Sequence, residues 1–217
     1  MFDYLSSPMR WCESIQGNIY SYSEYIVEFW NSITSLVFCF LAIYGYFTHK
    51  KFKSDKIPWF LLFMIGVTSA WFHATLSFMG QFCDELSIIL LITYCLRIYI
   101  GVNEILYYII TIFLTLVSWF YPQFSPPILL VVGFFLILTT YMFIEKGDSE
   151  YIWKYSMKLG ILSIGFWLFD FVCYFNTHMI WHIYIGIAAY SMLVFILKPT
   201  NCRIKLVKNT IPYWIKN

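Results

Sequence analysis

Charge is what this chain has little of. Of its 217 residues, 12% are Asp, Glu, Lys or Arg, against about 25% in an ordinary soluble domain. That is too little to cover a water-facing surface. A formal net charge of +2 supplies no broad basic face, which argues against a nucleic-acid partner. The six cysteines (Cys12, Cys39, Cys83, Cys95, Cys173 and Cys202) show no CxxC spacing, so neither a zinc knuckle nor a disulfide framework is indicated. Residues 1–24 lack a basic start followed by an apolar run, and no cleavable signal peptide is expected. The chain shows no internal repeat, no low-complexity tract and no sign of a second domain. It reads as a single domain over 1–217, with no obligate protein partner evident.

What is present is apolar. Hydrophobic residues make up 60% of the chain and aromatic residues 23%, which excludes a disordered polypeptide and leaves a polytopic membrane protein. A membrane helix needs about 20 mostly apolar residues. Seven stretches qualify: 25–48, 57–80, 82–100, 104–121, 125–144, 153–175 and 177–197. KKFKSDK (50–56) reads as a charged loop, YPQFSPP (121–127) as a proline-rich turn and EKGDSE (145–150) as a polar loop. Pro58 suits the first turn of a helix. The expected fold is therefore all-α, a seven-transmembrane helix bundle with membrane lipids around it.

Orientation follows from lysine and arginine. Lys50, Lys51, Lys53, Lys56, Arg97, Lys146, Lys154, Lys158, Lys198, Arg203, Lys205, Lys208 and Lys216 fall on one side of such a bundle. Only Arg10, of fourteen basic residues, falls on the other. This places the N-terminal segment 1–24 in the lumen or exterior and the tail 198–217 in the cytoplasm.

Ionisable side chains inside spans are unfavourable by about 2.5–3.5 kcal/mol each and point to function. Here they are Glu28, His73, Asp84, Glu85, Asp170, His178 and His182. With the orientation above, all seven fall in the luminal third of the bundle, on five different spans. His178 and His182 stand at i and i+4 on one helix face, a spacing that lets two imidazoles share a metal. His73 offers a third nitrogen. Three protein ligands with an open position describe a catalytic zinc rather than a closed structural one, and such a zinc activates water.

Asp84, eleven residues after His73, could take the proton of that water, or could cap its helix. Ser69, four residues before His73, could donate to an oxyanion, or could serve helix packing. Asp170 could orient a ligand histidine from behind. Glu85 reads as a luminal surface or packing acid, and His49 as interfacial beside the basic loop. A seven-helix receptor with structural zinc, or a metal transporter, is the alternative class. A transporter places its polar site near the midplane between repeats, and neither feature is present.

Several ordered blocks resemble the alkaline ceramidases. WCE (11–13) and YIVEFWNSITSLVF (25–38) are similar to that family's luminal segment and first helix. SAWFHATLSFMGQFCDEL (69–86) is similar to its Ser-x-x-x-His and Asp-Glu-Leu block. FWLFDFVC (166–173) and HMIWHI (178–183) are similar to its Trp-x-x-Asp-x-x-Cys and His-x-x-x-His blocks. The resemblance implies seven spans in an endoplasmic reticulum or Golgi membrane, with zinc on His73, His178 and His182. It also implies a water-directed Asp84, oxyanion support from Ser69, and a disulfide between Cys12 and Cys173. The reaction implied is hydrolysis of the ceramide amide to a sphingoid base and a fatty acid. A related lipid is the alternative substrate.

The family's calcium site is implied on Trp11, Glu13, Asn18 and Glu28. Arg10 stands where its aspartate belongs, and residues 14–17 are inserted before Asn18. The expectation is a weakened calcium site or an Arg10–carboxylate pair in its place. A second departure is the short connection between the sixth and seventh spans, where only four residues separate Cys173 from His178.

Overall fold

Helix boundaries in this chain are set by capping groups rather than by the ends of apolar runs. The computed structural model describes residues 6–20, 22–49, 56–142, 144 and 148–197, with residues 18, 20, 148 and 149 described by backbone alone. Among them the chain is helical, in the order α1 (Cys12–Ile15), α2 (Gly17–Tyr20), α3 (Phe29–Thr48), α4 (Ile57–Thr75), α5 (Phe78–Ile100), α6 (Glu104–Phe120), α7 (Ser125–Met142), α8 (Asp148–Asp170) and α9 (His178–Leu197). No strand occurs among the described residues.

The seven longer helices fall on the seven apolar stretches, with shifts that have identifiable causes. α3 begins at Phe29 rather than near 25, because the Glu13 carboxylate accepts the N–H groups of Trp30 and Asn31 in its first turn. α4 stops at Thr75, short of residue 80, because Leu76 turns left-handed at φ 46°. Ser77 then caps α5 by accepting from the Gly80 N–H at 3.1 Å, so α5 starts four residues before the apolar stretch does. α5 ends at Gly101, whose φ of 72° suits a residue without Cβ. α6 is capped by Asn103, which accepts from Leu106 N–H at 2.8 Å.

α8 starts at Asp148, inside the stretch expected as a polar loop, and it ends at Asp170 rather than 175. Asp170 is the last residue of α8, and its side chain caps α9, as described below. Of the long helices, α3, α4, α7 and α9 are long and apolar enough to cross a membrane by length and composition, and α6 is apolar over 17 residues. Lys50, Lys51, Lys53, Lys146, Lys198, Arg203, Lys205, Lys208, Lys216, Cys202 and the tail 198–217 lie outside the described residues.

α3 packs on α4 and α9, α4 on α5, and α8 on α9, while α6 and α7 lean on α5. The core joins Phe38, Leu62, Ile65, Leu91, Leu193 and Ile196. Gly66 sets the α3–α4 spacing, since a Cβ there would lie 2.8 Å from the Cys39 backbone nitrogen. Phe40, Phe60, Phe113, Phe134 and Phe169 project outward, an apolar exterior far larger than soluble monomers carry. The packing brings the start of α3, the end of α4, the start of α5, the end of α8 and the start of α9 to one end of the bundle.

Candidate functional site

At that end three imidazoles converge. His73 comes from the last turn of α4, and His178 and His182 from the first turns of α9. One ring nitrogen of each lies within 4.8 Å of the others. Ring centroids are 5.1 Å apart for His73–His178, 4.9 Å for His73–His182 and 4.7 Å for His178–His182. All three are buried, at 0–1% exposure.

Each ring is held differently. His73 Nδ1 lies 2.6 Å from Glu28 Oε2. His182 Nδ1 lies 3.0 Å from Thr34 Oγ1. The Thr34 hydroxyl donates to the Trp30 carbonyl at 2.8 Å, so it accepts the proton of His182 Nδ1. Both rings are thereby fixed with Nε2 unprotonated. His178 is held by stacking, with the Trp11 ring at 3.9 Å and the Trp181 ring at 4.8 Å. Its buried Nδ1 has no hydrogen-bond partner among the described residues. One nitrogen from each of three buried rings, mutually within 4.8 Å, fits a divalent ion with imidazole preference.

Asp84 and Ser69 belong to the same site. Ser69 hydrogen-bonds the Asp84 carboxylate, and Asp84 Oδ1 is buried without a partner. Ser35 Oγ, which donates to the Asn31 carbonyl at 2.7 Å, lies 3.1 Å from Ser69 Oγ and 3.5 Å from His182 Nε2. A row of polar atoms thus runs from Asp84 through Ser69 and Ser35 to the histidine cluster.

Asp170 reaches His178 through the backbone rather than the ring. Its Oδ1 accepts the N–H groups of Thr177 and His178 at 3.0 and 2.9 Å, capping α9, and its Oδ2 accepts from Cys12 N–H at 2.9 Å. The Cys12–Cys173 disulfide is formed, with Cα atoms 4.9 Å apart. It ties the segment carrying Trp11 to the α8–α9 turn. Cys39, Cys83 and Cys95 are not disulfide-bonded.

Of the residues implied for calcium, the Glu13 and Glu28 carboxylates lie close to each other, next to two amide oxygens unpartnered among the described residues, Asn31 Oδ1 and Asn176 Oδ1. Glu13 accepts from Trp30 N–H, Asn31 N–H and Asn176 Nδ2 at 2.7, 2.9 and 3.1 Å. Burial pushes its carboxyl up from the usual range, with those donors pulling it back. Glu28 accepts from Trp11 N–H and Asn31 Nδ2 in addition to His73. The Trp11 carbonyl is taken by the N–H groups of Ser14 and Ile15. Asn18 lies on α2, and its side chain is outside the described part. Arg10 is exposed and makes none of the ion pairs found among the described residues. Calcium takes six to eight oxygens, and Arg10, standing where the family's aspartate belongs, supplies none.

Glu85 does not join the histidines. It is buried in a separate network, accepting from Gln81 Nε2 at 2.7 Å and from the Ser118 hydroxyl. It is a packing acid, not a surface one. His49 sits at the opposite end of the bundle, 3.1 Å from the Tyr190 hydroxyl.

Sequence reasoning missed Thr34, Ser35 and the Trp11 ring. The signal for the first two was present, as hydroxyls six and seven residues after Glu28 in an otherwise apolar helix.

A buried three-histidine centre with a neighbouring carboxylate, at one end of an apolar helical bundle, defines a metal-compatible site of hydrolase type. Comparison with known proteins gives the family. The family model described as Ceramidase matches residues 3–216, and this chain belongs to the ceramidase family. It is 26% identical to human alkaline ceramidase 1 over 99% of this chain and 91% of the relative. It is 27% identical to the alkaline ceramidase of Drosophila melanogaster over 98% and 84%. Against that of Caenorhabditis elegans the identity is 28% over 89% and 81%.

Proposed function

We propose that this protein is a zinc-dependent, membrane-embedded amidase that hydrolyses ceramides to a sphingoid base and a free fatty acid. The observation that carries the reading is the convergence of His73, His178 and His182, two with fixed tautomers and one with an orphaned nitrogen, beside an Asp84 oxygen that lacks a partner. Membership of the ceramidase family and relatives named alkaline ceramidase support the choice of substrate.

The bundle is read as seven spans, α3 to α9, with the histidine end luminal and the basic end cytoplasmic, in the endoplasmic reticulum or Golgi membrane. The distribution of lysine and arginine supports that orientation. His73, His178 and His182 would hold the zinc, which supplies Lewis acidity toward a water and a carbonyl oxygen.

The chain's own residues do the rest. Asp84, with Oδ1 free, receives the proton that the attacking water gives up. It passes that proton to the amide nitrogen, so that the C–N bond breaks to a neutral amine and a carboxylic acid, which then ionises by giving its proton to the amine or to solvent. Ser69, whose one proton lies on Asp84 at rest, would turn that proton to the carbonyl oxygen once Asp84 is itself protonated, as negative charge develops. The burial of all three imidazoles keeps bulk water away, which strengthens each of these interactions.

The test is purified protein in detergent with a ceramide panel and a metal analysis. Release of sphingoid base with one zinc per chain is expected. No release above background together with no stoichiometric zinc overturns the reading.

A further inference from the structure

Among the described residues, only His73 of the three histidines at the centre has a charged partner. Glu28 is fully buried at 0% exposure, at the residue that precedes α3. Its carboxylate is fixed from three directions. Oε1 accepts from Trp11 N–H at 3.3 Å, and Oε2 accepts from Asn31 Nδ2 at 3.2 Å and from His73 Nδ1 at 2.6 Å. The two residues are also joined through the main chain. Glu28 N–H donates to the His73 carbonyl at 3.0 Å, and Val27 N–H to the Ala74 carbonyl at 3.0 Å. The start of α3 and the end of α4 are therefore locked together at backbone and side chain.

A carboxylate on Nδ1 keeps the proton there and leaves Nε2 as the lone-pair nitrogen. It also raises the donor strength of that nitrogen, as carboxylates behind metal-bound histidines do. Thr34 performs only the first of these tasks for His182, because a hydroxyl acceptor carries no charge. His178 has no acceptor at all on Nδ1 among the described residues.

We infer that Glu28 is a positioning residue for the metal centre: it fixes the tautomer and direction of His73 and strengthens metal binding. The inference rests on the zinc reading above.

The experiment measures zinc affinity of the full-length protein in detergent by competition with a chromophoric chelator. Wild type is compared with Glu28→Gln and with Glu85→Gln, which neutralises a buried carboxylate remote from the histidines. Glu28→Gln should bind zinc about 10–100-fold more weakly, with Glu85→Gln unchanged. Equal affinity of wild type and Glu28→Gln, or equal losses in the two variants, overturns the inference while leaving the zinc reading intact. Wild type without zinc overturns both.

One measurement on wild type stands even if Glu28→Gln does not fold. Side-chain nitrogen NMR of the zinc-loaded protein should show His73 protonated at Nδ1 and metallated at Nε2, and the reverse assignment contradicts the proposal.

Discussion

Two buried polar networks lie on α5 and its neighbours, and they differ in completeness. Around Glu85 the account closes. Ser7 Oγ donates to Gln81 Oε1 at 2.6 Å, Gln81 Nε2 donates to Glu85 and to the Pro122 carbonyl at 2.7 and 2.9 Å, and the Ser118 hydroxyl completes the carboxylate. Around the histidines it does not. The five buried side-chain atoms without hydrogen-bond partners among the described residues are Trp11 Nε1, Asn31 Oδ1, Asp84 Oδ1, Asn176 Oδ1 and His178 Nδ1. Two belong to the proposed centre, and the other three belong to residues that hold its surroundings. An unsatisfied buried polar atom is unfavourable by about 1–3 kcal/mol. A cluster of them in one place marks a site completed by something other than protein. The satisfied network holds α5, α6 and the N-terminal segment together, and the unsatisfied one is where chemistry belongs.

The largest effect expected from breaking this contrast is at the metal. His182→Ala or His73→Ala should abolish turnover and reduce zinc below stoichiometric levels. A variant that keeps full rate removes its histidine from the ligand set. Asp84→Asn comes next. It should retain zinc while kcat falls about 10²–10⁴-fold, and unchanged turnover would return Asp84 to a capping role. Ser69→Ala should lower kcat by about 10²–10³-fold with zinc intact, the scale for loss of an oxyanion donor. An effect confined to melting temperature would make Ser69 a packing residue. The smallest kinetic effect belongs to the satisfied network. Ser118→Ala should destabilise the fold by about 1–3 kcal/mol by orphaning a Glu85 oxygen, with turnover per folded molecule preserved. A kinetic loss there would erase the distinction between the two networks.

Much of the site was legible in the sequence because helices convert spacing into geometry. His178 and His182 share a face by their i, i+4 spacing, and alternating span direction brings His73 to the same end. The partners of those histidines were not legible. Glu28 and His73 are 45 residues apart, and their contact depends on how closely α3 approaches α4 at Gly66. Thr34 and Ser35 gave little signal because hydroxyls in apolar helices commonly bond the preceding turn's carbonyls, as Thr34 does to Trp30 and Ser35 to Asn31. The start of α8 was hidden by charge, since EKGDSE reads as a loop although its last three residues are helical. Asp170 was expected near a ligand ring and is found instead on backbone N–H groups, because the short turn after α8 places its carboxylate at the start of α9.

The most direct test is metal content and ceramide hydrolysis measured on the same purified sample, before chelation, after chelation and after zinc is restored. One zinc per chain is expected, with release of sphingoid base lost on chelation and recovered with zinc. Full turnover by the metal-free protein would contradict the assignment of the histidine cluster as the catalytic centre.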